Sequence, residues 1–376
     1  MRKYTLTCLV VLTAFFQGYG NPVDSLENLL KTAAGDKKVK IMNELFRAYI
    51  NSDPVKAIGY TREALTLAIA INDQKGVAAC YNNIGVSYKN QGALDMALEN
   101  YMHSLEIYTS IQNAEGIATT KNNIANIYSM KRDYSQALKY FEDSHNGFIA
   151  LADTPKMIGS MNNLGNLHSD LKLYEQALNF YTEAWKMAEK SNLLVAEPLS
   201  NIGNLFYKQA NYQRAVEYYL RALDIVKKQN DKVSELALLA NLGETFTKAN
   251  QPSQAQPYLD QALKLAQELN ASFYFPQIYK SMAGNFSRQG KMKEAYEIML
   301  KYDEAREQVY GEESSRRIAQ MEVALQLQDK EKQIDSLILD DKMKTLELRN
   351  TQIVITSVVL ALIAGVALLN LFMKRK

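Results

Sequence analysis

Side-chain amides recur at a regular spacing along this sequence. The segments NNIGVSY, NNIANIY and NNLGNLH begin at residues 82, 122 and 162, and SNIGNLF and ANLGETF begin at 200 and 240. An asparagine side chain carries both donors and acceptors, so it can bind polar groups of a neighbouring helix or of a partner. Asparagine is also a poor helix former, about 0.5 kcal/mol worse than alanine. A packing contact or a function must therefore offset that cost.

Sequence patterns of an enzyme site are missing from the chain. There is no glycine-rich phosphate loop, no C-x-x-C and no H-E-x-x-H among its 376 residues. Three histidines, with Cys80 as the one cysteine outside the N-terminal leader, cannot build an ordinary zinc site. The formal net charge of +2 argues against a nucleic-acid surface, which needs a concentrated positive field. We therefore expect a protein that is not an enzyme and that uses no cofactor, no metal and no nucleic acid.

A helical repeat positions the asparagines. One small residue recurs in steps of 40, 40, 38, 40 and 40 residues, an alanine follows each by twelve positions, and a ring follows most by three. Small residues let two helices cross closely, and a ring three or four positions further on fills the space above the contact. One such pair cannot bury its apolar face alone, so copies stack. The small residues are Gly85, Ala125, Gly165, Gly203, Gly243 and Ala283.

This pattern resembles the tetratricopeptide repeat over residues 37–312, in about seven units. The spacing is nearer 40 than the usual value of about 34, and the NNLG/NNLA variant is similar to that of longer-repeat, peptide-binding members such as kinesin light chains. The resemblance implies an all-α, right-handed superhelical solenoid of about seven helix pairs, preceded by an N-terminal cap segment at 21–36. The first copy has Leu45 at the small position and lacks the asparagines of the later copies, so it resembles a capping unit.

The resemblance also implies a concave groove in which asparagine amides bind the extended backbone of a peptide or protein partner. Positions three before and one after the small residue are four apart, so they share one helix face. Basic residues on or near that face in the later repeats indicate an acidic segment or a terminal carboxylate in the partner. The predicted partner-binding residues are Asn82, Asn83, Asn122, Asn123, Asn126, Asn162, Asn163, Asn166, Asn201, Asn204, Asn241, Lys208, Lys248, Lys280 and Arg288.

Asparagines two positions before the small residue allow a second interpretation. Their amides could instead bond a neighbouring helix end or a carbonyl in the adjacent repeat. If Asn123, Asn163 and Asn201 face an empty groove, alanine should leave the fold unharmed or stabilise it by about 0.5 kcal/mol each. If they satisfy buried groups, alanine should cost roughly 1–3 kcal/mol each. The groove interpretation predicts the first outcome, together with loss of partner binding.

The N-terminus predicts export. Arg2 and Lys3 precede an apolar run from Leu6 to Phe16, which is typical of a cleaved signal peptide at 1–20. An uncleaved anchor or a buried helix is the alternative.

The C-terminus predicts a membrane anchor. Residues 351–373 carry no charge over the length of a transmembrane helix, and the basic tail at 374–376 indicates a C-terminus on the inner side. We expect a single-pass protein of the bacterial inner membrane, with the repeats in the periplasm and the C-terminus in the cytoplasm. A buried core helix is the alternative.

Residues 313–350 connect the repeats to this anchor. They contain no proline or glycine, their charges alternate, and their apolar residues follow a helical spacing, which predicts a long amphipathic helix. The heptads are imperfect, because Lys330, Asp341 and Lys344 fall where a coiled-coil seam requires apolar groups. We expect this coiled-coil connector to form a parallel homodimer; a helix folded back onto the last repeat is the alternative.

Signal peptide, repeats, connector and membrane span together resemble the sensor half of tetratricopeptide receptors common in Bacteroidetes. In that group a histidine kinase or a helix-turn-helix domain often follows the span. This sequence has no kinase module, and His103, His145 and His168 all fall in repeat helices. We therefore expect a receptor or adaptor in signal transduction that binds a peptide or protein. A structural scaffold or assembly factor for a cell-envelope complex is the alternative.

Overall fold

The computed structural model describes residues 22–50, 52–312, 343–344 and 346–357, and all its regular elements in these ranges are helical. Residues 292–312 form α15, and a 3-10 turn at Ser272–Tyr274 precedes α14. The other helices are α1 Pro22–Thr32, α2 Gly35–Tyr49, α3 Pro54–Ala70, α4 Gln74–Asn90, α5 Leu94–Ser110, α6 Ala114–Met130, α7 Tyr134–Ala150, α8 Thr154–Asp170, α9 Tyr174–Lys190, α10 Glu197–Lys208, α11 Tyr212–Lys228, α12 Lys232–Lys248, α13 Pro252–Glu268 and α14 Phe275–Arg288.

The chain divides into two compact units, Met1–Ile318 and Ala319–Lys376. In the first unit α1 packs on α2, and each even-numbered helix from α2 to α12 forms a hairpin with the helix that follows it. Each hairpin packs on the next one. The first helices of neighbouring hairpins also touch: α2 contacts α4, and α8 contacts α10. In the second unit the described residues 346–357 form an exposed helix.

Left-handed turn residues set the length of the repeat. Most helices have 17 residues and are followed by a three-residue turn, which gives 20 residues per helix and 40 per pair. The middle residue of each turn has a positive φ, which ends the helix and satisfies its last carbonyls. α10 has 12 residues, and the repeat that contains it is the shorter one. The turn residues that have a positive φ and are not glycine are Asn72, Gln112, Arg132, Ala152, Lys172, Asn192, Ala210, Asn230, Asn250 and Asn270.

Aspartate and asparagine start many of the helices. The side chain of Asp153 accepts a hydrogen bond from the backbone N–H of Lys156, three residues into the helix. Such an N-cap satisfies one of the four backbone donors that a helix leaves free at its start. The same bond starts α3, α4, α6, α7, α11 and α12.

Three of the small glycines, Gly85, Gly165 and Gly203, pack directly against a ring of the second helix, and Gly243 packs against Leu259. A Cβ atom built on Gly165 would lie 2.5 Å from Cε1 of Tyr181, and one on Gly203 would lie 2.6 Å from the ring of Tyr219. These distances are shorter than any carbon–carbon contact, so the ring occupies the space that the missing side chain leaves. The rings three positions after the small residue stack on the second helix of the same pair, as Tyr128 does on Tyr140.

The predicted membrane-spanning helix at 351–373, and with it the single-pass inner-membrane location, is corrected by the structure. Within the described ranges, no helix is both long and apolar enough to cross a membrane. The predicted signal peptide at 1–20 and the basic tail at 374–376 lie outside the described residues, as does most of the connector.

Candidate functional site

Asparagine amides form a ladder between successive repeats. Nδ2 of Asn163 donates to Oδ1 of Asn122 at 2.8 Å, and Nδ2 of Asn123 donates to Oδ1 of Asn82 at 2.9 Å. In each bond, the donor stands two positions before the small residue of its own repeat. The acceptor stands three positions before the small residue of the preceding repeat. The bonds therefore tie α4 to α6 and α6 to α8. For Asn123 and Asn163 the structure places the amide against the adjacent repeat.

The first rung of this ladder uses a residue that the sequence analysis missed. Nδ2 of Asn83 donates to Oδ1 of Asn43 at 2.7 Å, and both side chains are buried. The statement that the first copy lacks the asparagines is therefore wrong, because Asn43 stands two positions before Leu45. The signal was available in the spacing of the small residues.

The ladder is interrupted between α8 and α10. By position, Asn201 should donate to Asn162, but within the described part of the chain no hydrogen bond reaches Nδ2 of Asn201 or either amide atom of Asn162. Asn162 is 1% exposed. This is the place where α10 is shortened. An unsatisfied buried amide costs roughly 1–3 kcal/mol, so this interface is less stable than its neighbours.

A second row of amides follows the small residue by one position. This row, which we call the amide row, consists of Asn126, Asn166 and Asn204. Oδ1 of Asn166 accepts a hydrogen bond from the hydroxyl of Tyr181 at 2.7 Å. Oδ1 of Asn204 accepts the equivalent bond from Tyr219 at 2.6 Å. Nδ2 of Asn126 instead donates to the backbone carbonyl of Asn122, one turn earlier in its own helix, at 2.9 Å.

Two members of the amide row line a cavity between α8 and α10. The cavity has a volume of about 520 Å³, and Tyr181, Tyr207 and Lys208 contribute to its wall together with Asn166 and Asn204. Burial raises the pKa of the Tyr181 phenol, so this hydroxyl keeps its proton and stays a donor. Among the described residues, none accepts a hydrogen bond from Nδ2 of Asn166 or of Asn204. The cavity is therefore lined by these two amides, by the cation of Lys208 and by the carboxylate of Asp170.

A polar network closes the row at α12. Glu244 stands where the earlier repeats have an asparagine, and its Oε1 accepts from the hydroxyl of Tyr207 at 2.6 Å. Its Oε2 accepts from Nε2 of Gln277 at 3.0 Å, and the same nitrogen lies 3.3 Å from Oδ1 of Asn241. Burial, followed by the bond to Glu244, raises the pKa of Tyr207. Asn241 is thereby placed in a contact with α14, two helices further along the chain.

The predicted basic residues are separated along the later repeats. Nζ of Lys208 lies 3.1 Å from Oγ of Ser169, and Nη1 of Arg288 donates to Oδ1 of Asn250 at 3.2 Å. Lys248 and Lys280 are exposed. In the described part of the molecule, none of these four cations forms an ion pair with a carboxylate. Of the four, Lys208 lines the cavity.

Residues missed at the site are Tyr181, Tyr219 and Glu244. The two tyrosines follow the small residue by sixteen positions, and this offset gives no sign that their hydroxyls meet the amide row. The described residues contain no group of three or more His, Cys, Asp or Glu side chains that could hold a metal ion.

Comparison with known families identifies the class of this fold. The family profile described as tetratricopeptide repeat matches residues 116–190 and 194–268, and the profile described as soluble NSF attachment protein, SNAP, matches residues 28–150. The stacked hairpins, the small-residue contacts and these matches agree. The chain is a tetratricopeptide repeat protein. No curated protein sequence matches it.

Solved structures with the same fold share little sequence with this chain. The apo form of RapI has 18% identity and a TM-score of 0.55, covering 73% of this chain and 99% of its own. A Rap protein complexed with Competence and Sporulation Factor has 14% identity and a TM-score of 0.53, covering 77% and 92%. A signal transduction ATPase with a tetratricopeptide repeat sensor, from Pyrococcus horikoshii, has 17% identity and a TM-score of 0.62, covering 77% and 45%.

Proposed function

We propose that this protein is a non-enzymatic receptor or adaptor that binds a peptide or protein segment at the α8–α10 cavity. The observation that carries the proposal is the pair of oriented amides, Asn166 and Asn204, whose donors face this cavity beside Lys208. A pocket that accepts a peptide combines apolar walls with a few polar groups in fixed positions. The rings of Tyr181 and Tyr207 supply the apolar part of the wall.

Two of the structurally similar proteins support a role in signalling. One is a Rap protein complexed with Competence and Sporulation Factor, and the other carries its tetratricopeptide repeats as the sensor of a signal transduction ATPase. The asparagines that form the ladder have a different part in the proposal. Asn82, Asn83, Asn122, Asn123 and Asn163 hold the repeats in register and thereby set the distance between the amides of the row.

Site-specific photocrosslinking tests this proposal. A photoreactive amino acid replaces Asp170, which lines the cavity, and in a matched control it replaces the exposed Glu142 on α7. We expect the full chain in its native cells to capture one peptide or protein from position 170 and not from position 142. The double variant Asn166→Asp/Asn204→Asp keeps an acceptor for each tyrosine hydroxyl and replaces the Nδ2 donors by carboxylate oxygens, so it should abolish capture while thermal unfolding changes little.

Capture of the same molecule from both positions, or capture that the double variant leaves intact, would contradict a site at α8–α10. Capture from position 142 alone would indicate an assembly role at another surface, which is the scaffold alternative.

A further inference from the structure

We propose that the ring packed beneath each amide of the row decides whether that amide offers a partner a hydrogen-bond donor or an acceptor. The ring is a tyrosine under Asn166 and Asn204 and a phenylalanine under Asn126. This inference deepens the proposed function, because it assigns the specificity of the same row. It makes Tyr181 and Tyr219 the residues that position these amides.

Tyrosine sets the donor state. The hydroxyl of Tyr181 donates to Oδ1 of Asn166, so the carbonyl end of that amide is occupied and the Nδ2 end is directed away from the ring. The ring itself has no freedom to follow the amide, because it is 2% exposed and fills the space beside Gly165. Tyr219 is held in the same way beside Gly203 and fixes Asn204 with the same polarity.

Phenylalanine sets the acceptor state. Phe141 is 2% exposed in the corresponding place beneath Asn126 and has no hydroxyl to donate. Nδ2 of Asn126 therefore donates to the backbone carbonyl of Asn122. No described residue donates to Oδ1 of Asn126, which remains for a partner. One oxygen atom on the ring thus separates the two states.

The repeat that contains Tyr101 shows whether the ring or the amide determines the arrangement of the two. Tyr101 packs beside Gly85 in the same manner, but the row position above it is Val86. Its hydroxyl is buried, and in the described part of the chain it has no hydrogen-bond partner. The ring therefore takes its place because of helix packing, whether or not an amide is present. The amide adjusts to the ring, and not the reverse.

The resulting order of polar groups defines the partner that fits. From α6 to α12 the row offers an acceptor at Asn126, donors at Asn166 and Asn204, and the carboxylate of Glu244. Stacked helices lie about 8–10 Å apart, and an extended chain advances about 3.3 Å per residue. A complementary segment carries carbonyl or carboxylate oxygens over α8 and α10, and N–H or ammonium donors over α6 and α12, at intervals of about three residues. Lys208 favours the carboxylate at α10.

Side-chain amide exchange in the free protein tests the inference without any partner. The full chain is labelled with ¹⁵N-asparagine, and the signals of Asn126 and Asn166 are assigned by their loss in Asn126→Ser and Asn166→Ser. We expect the bonded Nδ2 proton of Asn126 to exchange about fivefold more slowly than those of Asn166, the factor that a typical net hydrogen bond supplies. Tyr181→Phe should slow proton exchange at Nδ2 of Asn166, and Phe141→Tyr should accelerate proton exchange at Nδ2 of Asn126.

A second measurement uses N,N-dimethylacetamide, an amide that can accept but not donate. Its addition should shift the Nδ2 signals of Asn166 and Asn204 more than that of Asn126, and Tyr181→Phe should remove the response of Asn166. Equal exchange at Asn126 and Asn166, or exchange that neither ring variant alters, overturns the inference. If Tyr181→Phe does not fold, Phe141→Tyr decides the outcome. Neither result depends on crosslinking, so failure here and failure of the proposed function are separable.

Discussion

Asn163 and Asn122, which lie 41 residues apart, are joined by a side-chain hydrogen bond of 2.8 Å between their amides. Substitution Asn163→Ala removes the donor and leaves Oδ1 of Asn122 without a partner. Both side chains are half-buried, so we expect the free energy of unfolding to fall by about 0.5–1.5 kcal/mol, the net value of a typical hydrogen bond. Denaturant unfolding followed by circular dichroism measures it.

Asn126→Ala is the matched control for this substitution. Asn126 bonds within its own helix, so alanine should be neutral or should stabilise the fold by up to about 0.5 kcal/mol through helix propensity. If Asn163→Ala proves as stable as the wild type, the groove interpretation of these residues is restored.

Gly165→Ala should destabilise the protein by roughly 1–3 kcal/mol, although alanine is the better helix former. The added Cβ would lie 2.5 Å from the ring of Tyr181, which is buried and bonded to Asn166, so ring and helix must move apart. Gly159→Ala in the same helix is the control, because nothing lies within 4 Å of its Cβ position. That variant should gain about 1 kcal/mol. Thermal melts of the two variants with the same sign would refute the close contact.

Helix pairing was predictable because it depends on side-chain size at a contact. A glycine at position 85 and a ring at position 101 recur with the repeat, and the structure places them together. The direction of each asparagine amide was not predictable in the same way. Positions 122 and 123 differ by about 100° around a helix, and whether position 123 meets the preceding repeat depends on how closely two hairpins stack.

Some of the turns could be predicted from local sequence, because asparagine or glycine, which favour a positive φ, stands at Asn72, Gly92 and Asn250. Arg132 and Lys172 also have positive φ, although neither residue favours this conformation. At these two turns the packing of 17-residue helices fixes where the turn must fall, and the residue at that position adopts the left-handed conformation.

Lys172→Gly should consequently stabilise the protein. A side chain in the left-handed region costs about 1–2 kcal/mol per residue, and glycine avoids most of it at some cost in the unfolded chain. Lys172→Ala is the control, because it removes the same charge and keeps the Cβ. We expect the glycine variant to exceed the alanine variant by about 1 kcal/mol in chemical denaturation. Identical transitions would show that this turn carries no strain.

The first helix should detach in acid. The side-chain carboxylate of Glu27 accepts hydrogen bonds from Nζ of Lys56 and from the hydroxyl of Tyr49, both at 2.6 Å, and these bonds lower its pKa from 4.5 to about 2. A carboxylate with a lowered pKa stabilises the docked state above pH 4.5. That contribution is lost as the pH falls from 4.5 towards 2.

Limited proteolysis of α1 by pepsin at pH 4.5, 3.5 and 2.5 measures this detachment. Because pepsin itself becomes more active as the pH falls, the rates of two proteins are compared at each pH. Glu27→Gln should be cleaved faster than the wild type at pH 4.5, and the two rates should converge towards pH 2.5, whereas Asp24→Asn, an equal charge change on the same helix, should match the wild type at every pH. If Glu27→Gln follows the wild-type profile, the cluster does not hold α1.

The break in the ladder should make one buried asparagine dispensable. Both amide atoms of Asn162 lie buried without a hydrogen bond in the described part of the chain, whereas Oδ1 of Asn122, at the same position one repeat earlier, accepts from Asn163. Leucine has the same branching and number of side-chain heavy atoms as asparagine, and it has no polar atom to satisfy. We therefore expect Asn162→Leu to raise the free energy of unfolding by about 1 kcal/mol and Asn122→Leu, which removes the half-buried acceptor of Asn163, to lower it by about 0.5–1.5 kcal/mol. Loss of stability in Asn162→Leu would show that a water molecule or a bound group completes this rung, at the same interface where the cavity opens.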